Sequence, residues 1–344
     1  MSSETQEAGG YPHNPVVVRV LRAGVVESVH RGAWCLVDSS GTVLEGEGAW
    51  REPYFVRSSI KSIQALPLCE TGAAERFGFD DAELALALAS HSGEACHTER
   101  VGATLERLGF GPEHLLCGVH PPNDPAVRRA LTAAGEKPSA LHNNCSGKHA
   151  GFLALARHLD VAPEDYLAPT SAGQVMVRDA LATLTGAPVD DLVPGIDGCS
   201  APTYRVPLDG LATAFARITN PDGLGAERAR HFERMTAAVA SHPVLVAGSH
   251  KRIDTDLLQA TGGRLFPKIG AEAVHAIGVR GGDRALAIKI DDGGLRGLHA
   301  LVLALLERLG LASGDELATL ERWRDPVLKN HAGHEVGRIE AVLS

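Results

Sequence analysis

Ala276-Ile277-Gly278-Val279, Arg280-Gly281-Gly282-Asp283, Ala285-Leu286-Ala287-Ile288-Lys289-Ile290: two apolar runs rich in β-branched residues are joined by a Gly-Gly and Gly-Asp link. That link suits a tight hairpin. A lone hairpin cannot bury its own apolar face, so these strands need partners. Partners stand at the other end of the chain. Val16-Val17-Val18-Arg19-Val20-Leu21, Val25-Val26-Glu27-Ser28-Val29 and Trp34-Cys35-Leu36-Val37-Asp38 read as strands, turning at Ser39-Ser40-Gly41 into Thr42-Val43-Leu44. Between the two groups helical periodicity dominates, as in Ala82 to Leu88, Glu99 to Leu108, Ala126 to Ala134, Gly147 to Arg157 and Arg228 to Ala240, and one more helix follows from Leu298 to Leu309. The expected fold is therefore α+β, an antiparallel sheet built from N- and C-terminal segments (15–50 and 265–297) with a largely helical middle lobe (59–245). We expect one domain over 15–344 behind a flexible tail of residues 1–14.

The chain has 344 residues and is 44% hydrophobic, enough to bury a large core. A net charge of −9 and 4% aromatic residues leave neither the basic stripe nor the stacking platform that nucleic-acid binding needs. The opening MSSETQEAGGYPHNP has no basic and apolar leader pattern, and the apolar run near 301–306 is far too short to span a bilayer. The expectation is a soluble cytoplasmic protein with no membrane partner. Six cysteines in such a chain do not suggest a disulfide framework, and Cys35, Cys69, Cys96 and Cys117 read as small buried or half-buried residues.

Three short strings carry hydrolase chemistry in their order: Ser58-Ser59-Ile60-Lys61, Ser90-His91-Ser92-Gly93 and Lys268-Ile269-Gly270. A hydroxyl and an amine three residues apart on a helix project from one face with Cβ atoms about 5 to 6 Å apart, so Ser58 and Lys61 are expected to share a hydrogen bond. A neighbouring base is what activates a serine as a nucleophile. A lysine ordinarily titrates near 10.4, so Lys61 must be desolvated or set beside a second cation, for which Lys268 is the candidate. The same order, S-x-x-K, S-x-N, K-T-G, occurs in penicillin-binding proteins and class A β-lactamases, although Ser92 here stands where Asn is usual and Ile269 where Thr is usual. Ser59 points about 100 degrees away from Ser58 on a helix and reads as structural or substrate-orienting.

A second constellation is Leu141-His142-Asn143-Asn144-Cys145-Ser146-Gly147-Lys148-His149-Ala150, a dense polar loop opening onto a helix, where backbone N–H groups suit anions. Cys199 lies in the Gly/Pro-rich turn Pro194 to Pro202. Cys145 and Cys199 with one nitrogen ligand make a plausible zinc set. On donor chemistry alone that nitrogen is His149 rather than Lys148, since an amine must first lose its proton. The bland alternative is two loop thiols among capping groups.

Arg57 to Gln64, Ser90 to Glu94, His142 to His149 and Asp197-Gly198-Cys199 together resemble the bacterial L-asparaginase II family of the Rhizobium etli type, over residues from about 15 to the C-terminus. The resemblance implies a fold akin to serine β-lactamases and glutaminases, a homodimer, and hydrolysis of L-asparagine to L-aspartate and ammonia. It further implies two Ser-Lys tandems, Ser58 with Lys61 and Ser90 with Lys268. Cys145, Lys148 and Cys199 would hold one zinc ion per subunit, which places Lys148 rather than His149 on the metal and leaves His149 and Asp197 beside the substrate. A cysteine that the family can carry shortly before the second lysine has no counterpart, since none follows Cys199. For the substrate's α-carboxylate the expected partner is Arg57 and for its α-ammonium Asp197, with Glu94 in reserve. Pro326 to Ile339 follows the family's C-terminal pattern with no chemistry assigned. His114, His120, His158, His231, His250 and His275 read as surface or core-edge groups. The competing functions are a glutaminase or penicillin-recognising hydrolase of the same fold, and a zinc-stabilised amino-acid binding protein.

Overall fold

The computed structural model describes residues 13–343. Its strands are β1 (Val16–Arg22), β2 (Val25–Val37), β3 (Val43–Glu47), β4 (Pro53–Phe55), β5 (Gly195–Ile196), β6 (Pro202–Thr203), β7 (Arg205–Pro207), β8 (Leu265–Gly270), β9 (Val274–Val279), β10 (Ala285–Ile290), β11 (Val327–Lys329) and β12 (Glu335–Ala341). One antiparallel sheet of eight strands runs β11-β12-β1-β2-β10-β9-β8, with β3 added on β2. The N-terminal strands and the β9–β10 hairpin meet where β2 pairs β10, Trp34 opposite Ile288 and Cys35 opposite Ala287. The α+β architecture expected from the two apolar ends is the one observed. β2 is a single strand of 13 residues rather than two, and its length lets its first half pair β1 while its second half pairs β10 and β3.

Both faces of the central strands are covered, and residue size sorts them. Ala33, Cys35, Val37, Ala276, Ala285 and Ala287 face the helical lobe, where Phe215 of the helix Leu208–Thr219 packs. Trp34, Leu36, Ile277, Leu286, Ile288 and Ile290 face the helix Leu295–Arg308 on the other side. Small side chains let the helix Leu208–Thr219 lie close to the sheet, and the bulky ones fill the wider gap opposite. All six residues of β10 are buried, five of them apolar and the sixth Lys289, whose amine donates to the Glu272 carbonyl at 2.7 Å. β8 and the pair β11 and β12 extend the sheet beyond the strands read from sequence.

Residues 1–12 of the expected tail lie outside the described residues. Asn14, by contrast, is fully buried: its amide nitrogen donates to Asp291 at 2.7 Å and to the Tyr54 hydroxyl at 3.2 Å, and its oxygen accepts the Ala49 N–H at 2.7 Å. The chain is therefore pinned before β1 begins. No helix among the described residues is long and apolar enough to cross a membrane.

Candidate active site

Ser58 sits on a 3-10 turn, Arg57–Ile60, and Lys61 is the first residue of the α-helix Lys61–Glu70. Arg57 adopts φ +48°, the left-handed region that costs a non-glycine residue about 1 kcal/mol or more, and the Ser59 hydroxyl ties the turn down by donating to the Val56 carbonyl at 2.6 Å. Ser59 is fully buried and has that structural role. The tighter turn changes the expected pairing. The Lys61 amine donates to the Ser90 hydroxyl at 3.0 Å, to the Ala89 carbonyl, and at 3.4 Å to the Asn144 carbonyl, so the contact expected with Ser58 goes to Ser90 instead.

Ser90 follows the helix Asp81–Ala87 and is held by its N–H to the Val246 carbonyl at 2.9 Å. From the opposite side, β8 delivers Lys268, whose amine reaches Ser90 Oγ at 2.8 Å and the Ile269 carbonyl at 2.9 Å. β8 can come this near because of Gly270: a Cβ there would stand 3.0 Å from the Val56 carbonyl and 3.2 Å from the Ser59 N–H nitrogen. The glycine of the Lys-Ile-Gly string thus lets the strand lie against the turn that carries Ser58.

Two ammonium groups on one hydroxyl, both out of water, is a repulsive arrangement that resolves by one of them losing its proton. Lys61 has no exposed surface and Lys268 is 3% exposed. Burial lowers both pKa values. Lys268, which also feels the Lys61 charge, is brought to about 7, and Lys61 is held below the usual lysine value although the Cys145 thiolate opposes the shift. A neutral amine beside a hydroxyl is a base in place. Ser90 lines a cavity of about 340 Å³ that Ser58 also enters, half-buried, together with Arg252, Asp254, Glu272 and His299.

Arg57 and Asp197 are brought together, but on each other: Nη2 and Nε donate to one carboxylate oxygen at 2.6 and 2.9 Å. Burial works against the Asp197 anion, and Arg57 and the Gly198 N–H keep it below the usual carboxylate range. Glu94 caps the helix Ala95–Arg107 and accepts the Ser249 N–H at 2.8 Å. His149 is fully buried on the helix Ser146–His158, with Nδ1 2.7 Å from the Tyr166 hydroxyl and Nε2 buried without a partner. Burial, reinforced by Lys148 and Lys61, keeps its ring neutral.

Cys145, Lys148 and Cys199 converge in the same interior. The Lys148 amine contacts Cys199 Sγ at 3.2 Å. The Cys199 thiol donates to Cys145, which lowers the Cys145 pKa well below the thiol range and raises that of Cys199, so one proton serves two sulfurs. Both cysteines are free and buried. Burial alone would strip Lys148 of its proton, but the two sulfurs hold it on as an ammonium. No group of three or more His, Cys, Asp or Glu side chains among the described residues could hold a metal ion. Once Lys148 and Cys199 give up their protons, the Lys148 nitrogen is a third donor beside the two sulfurs, and that set of two thiolates and one amine fits zinc. Of the other cysteines, Cys35, Cys69 and Cys117 are buried as expected, while Cys96 is exposed.

Asp254 has no role that the sequence suggests, and His275 reads from sequence as a surface or core-edge group. His275 is not a core-edge group: it is fully buried on β9 and its Nε2 meets Asp254 Oδ1 at 2.9 Å. No motif marks either residue. They meet because a helix start and a strand from separate segments fold onto one spot.

A family model described as L-asparaginase II matches residues 18–341. No curated protein matches the chain. Among solved structures, one described as Mglu in its native form in the presence of 4.3M NaCl aligns over 88% of this chain and 67% of its own, at 13% identity and a TM-score of 0.36. A second Mglu structure aligns over 87% and 72%, at 14% identity and a TM-score of 0.37.

Proposed function

Because this chain belongs to the L-asparaginase II family, we propose that it is an amidohydrolase that converts L-asparagine to L-aspartate and ammonia through serine and lysine side chains. The observation that carries the mechanism is the Ser90 hydroxyl held by two buried amines, at 3.0 Å from Lys61 and 2.8 Å from Lys268, in the wall of the cavity that Ser58 enters. Ser58, the more accessible hydroxyl, attacks the side-chain amide carbon and gives its proton, by way of Ser90, to the neutral amine of Lys268. The C–N bond then breaks, the proton leaves with ammonia, and water hydrolyses the acyl-serine to aspartate. Ser90 passes protons between the amines. Arg57 and Asp197, already paired, meet the substrate's carboxylate and ammonium with His149 alongside. Cys145, Lys148 and Cys199 would hold one zinc ion, which when bound polarises an amide oxygen or acidifies a water. The active form is proposed to be a cytoplasmic homodimer.

Ammonia release from L-asparagine, with L-glutamine and a chromogenic β-lactam in parallel, tests the reading. Asparagine is expected to be turned over and the β-lactam left intact. Ser58→Ala is expected to lose at least a thousandfold in kcat with an unchanged melting temperature. Near-native turnover in that variant would move the nucleophile to Ser90, and a native protein inert toward all three substrates would leave the amino-acid binding protein.

A further inference from the structure

We propose that Asp254 is the positioning residue for Lys268, clamping the strand that carries the lysine and setting a buried negative charge behind its amine. The proposal rests on Lys268 acting as a proton acceptor in the asparaginase reaction.

Asp254 lies in the first turn of the helix Ile253–Ala260 and turns its carboxylate inward, with 1% of its surface exposed. Oδ2 accepts the Ile269 N–H at 3.0 Å, and Oδ1 meets His275 Nε2 at 2.9 Å. A carboxylate only accepts, so Nε2 carries a proton toward Asp254, while Nδ1 is buried without a partner. Ile269 and His275 are register partners across β8 and β9. One carboxylate therefore bridges both strands at the residue next to Lys268, whose own amine returns to the Ile269 carbonyl. Displacing that peptide displaces the amine from Ser90.

The charge acts as well as the clamp. Lys268 is faced by Lys61 and Arg252, which drive its proton off, and by Asp254 and Cys145, which hold it on. Arg252 comes from the loop before the helix and donates to the Ser90 carbonyl at 2.7 Å. Asp254 in turn is faced by His275, Lys268, Arg252 and His299. Burial works to raise its pKa, yet the His275 ring, Lys268 and the Ile269 N–H hold it well below the usual carboxylate range. It therefore stays an anion at any pH where the enzyme works. Removing the anion destabilises the ammonium form of Lys268, so its amine deprotonates at lower pH.

Asp254→Asn keeps the shape and an acceptor for Ile269 while removing the charge. In the full chain, the rate of ammonia release from asparagine should rise with pH through about 7 in the native protein, and in Asp254→Asn this limb should move to lower pH by about one unit. The plateau kcat should fall severalfold, as a weaker base gives, with KM unchanged. Asp254→Glu should bring the limb back. If the Asn variant does not fold, Asp254→Ser, which is uncharged and can still accept a hydrogen bond, is read in the same way. A limb that stays in place in the uncharged variant while the melting temperature falls overturns the proposal and leaves Asp254 a brace. A limb near 7 that survives in Lys268→Met overturns instead the assignment of Lys268 as base.

Discussion

Lys268 burdens the folded state before it takes any part in the proposed reaction. Its amine titrates near 7 in the folded chain and near 10.5 when unfolded, a gap on the order of 5 kcal/mol against folding at pH 7 and below, where the buried amine must carry its charge or stay bare. Between pH 7 and 10.5 the unfolded chain holds a proton that the folded chain does not, so the penalty fades as pH rises and is gone above 10.5. Lys268→Met should therefore raise the melting temperature by a few degrees at pH 6.5 and by almost nothing at pH 10.5, while abolishing turnover. A lower melting temperature at pH 6.5 would mean that the contact with Ser90 outweighs burial. The same scale decides Lys148 against His149. With Lys148 as the zinc ligand, Lys148→Met loses the metal, zinc affinity in the native protein weakens as pH falls and the ammonium forms, and His149→Ala keeps the metal but binds asparagine poorly. Elemental analysis of both purified variants reads the outcome, and loss of zinc from His149→Ala alone would reverse the assignment.

At the scale of the element, the site depends on how closely backbones approach. Gly270→Val should drive β8 away from the turn Arg57–Ile60 and carry Lys268 off Ser90; we expect a loss of turnover of at least a hundredfold, with far-ultraviolet dichroism retained. Activity within tenfold of native would show that the turn can yield instead. Gly147 has a similar place, since a Cβ there would overlap the Leu86 carbonyl where the helix Ser146–His158 crosses the helix Asp81–Ala87. Sequence made part of this legible. The β9–β10 hairpin was readable because its turn residues and its need for partners are local facts. The bond from Lys61 to Ser90 was not, because S-x-x-K spacing pairs Ser58 with Lys61 only on an α-helix and the chain instead takes a 3-10 turn with Arg57 left-handed. Asp254 and His275 were illegible for a different reason: their pairing follows from β8 lying beside β9 and the helix Ile253–Ala260 lying over β8.

For the whole molecule, β12 is the element that the sequence hid most completely. Its seven residues bury Ile339 and leave the rest half-buried or exposed, so no apolar periodicity marks it. Yet Ile339 pairs with Val20 and joins the core beneath the helix Leu295–Arg308. Ile339→Asp would place a charge in that core and should cost several kcal/mol, lowering the melting temperature and speeding hydrogen exchange over β1. The pH limb of catalysis should not move, because Lys268 lies at the other edge of the sheet. A variant with native exchange in β1 would show that β12 is not needed to hold it.

The pairing of β1 with β12 also constrains how the protein is made. A ribosome delivers β1 early and β12 last, and Lys268 emerges long after Ser58, Lys61 and Ser90. Until then the growing chain carries a strand with one unpaired edge and a lobe whose buried amine has no second lysine to meet, a state open to wrong partners. A product released before β8 is complete would be a fold waiting for its sheet, and the cell would have to shelter or destroy it rather than draw a lower activity from it.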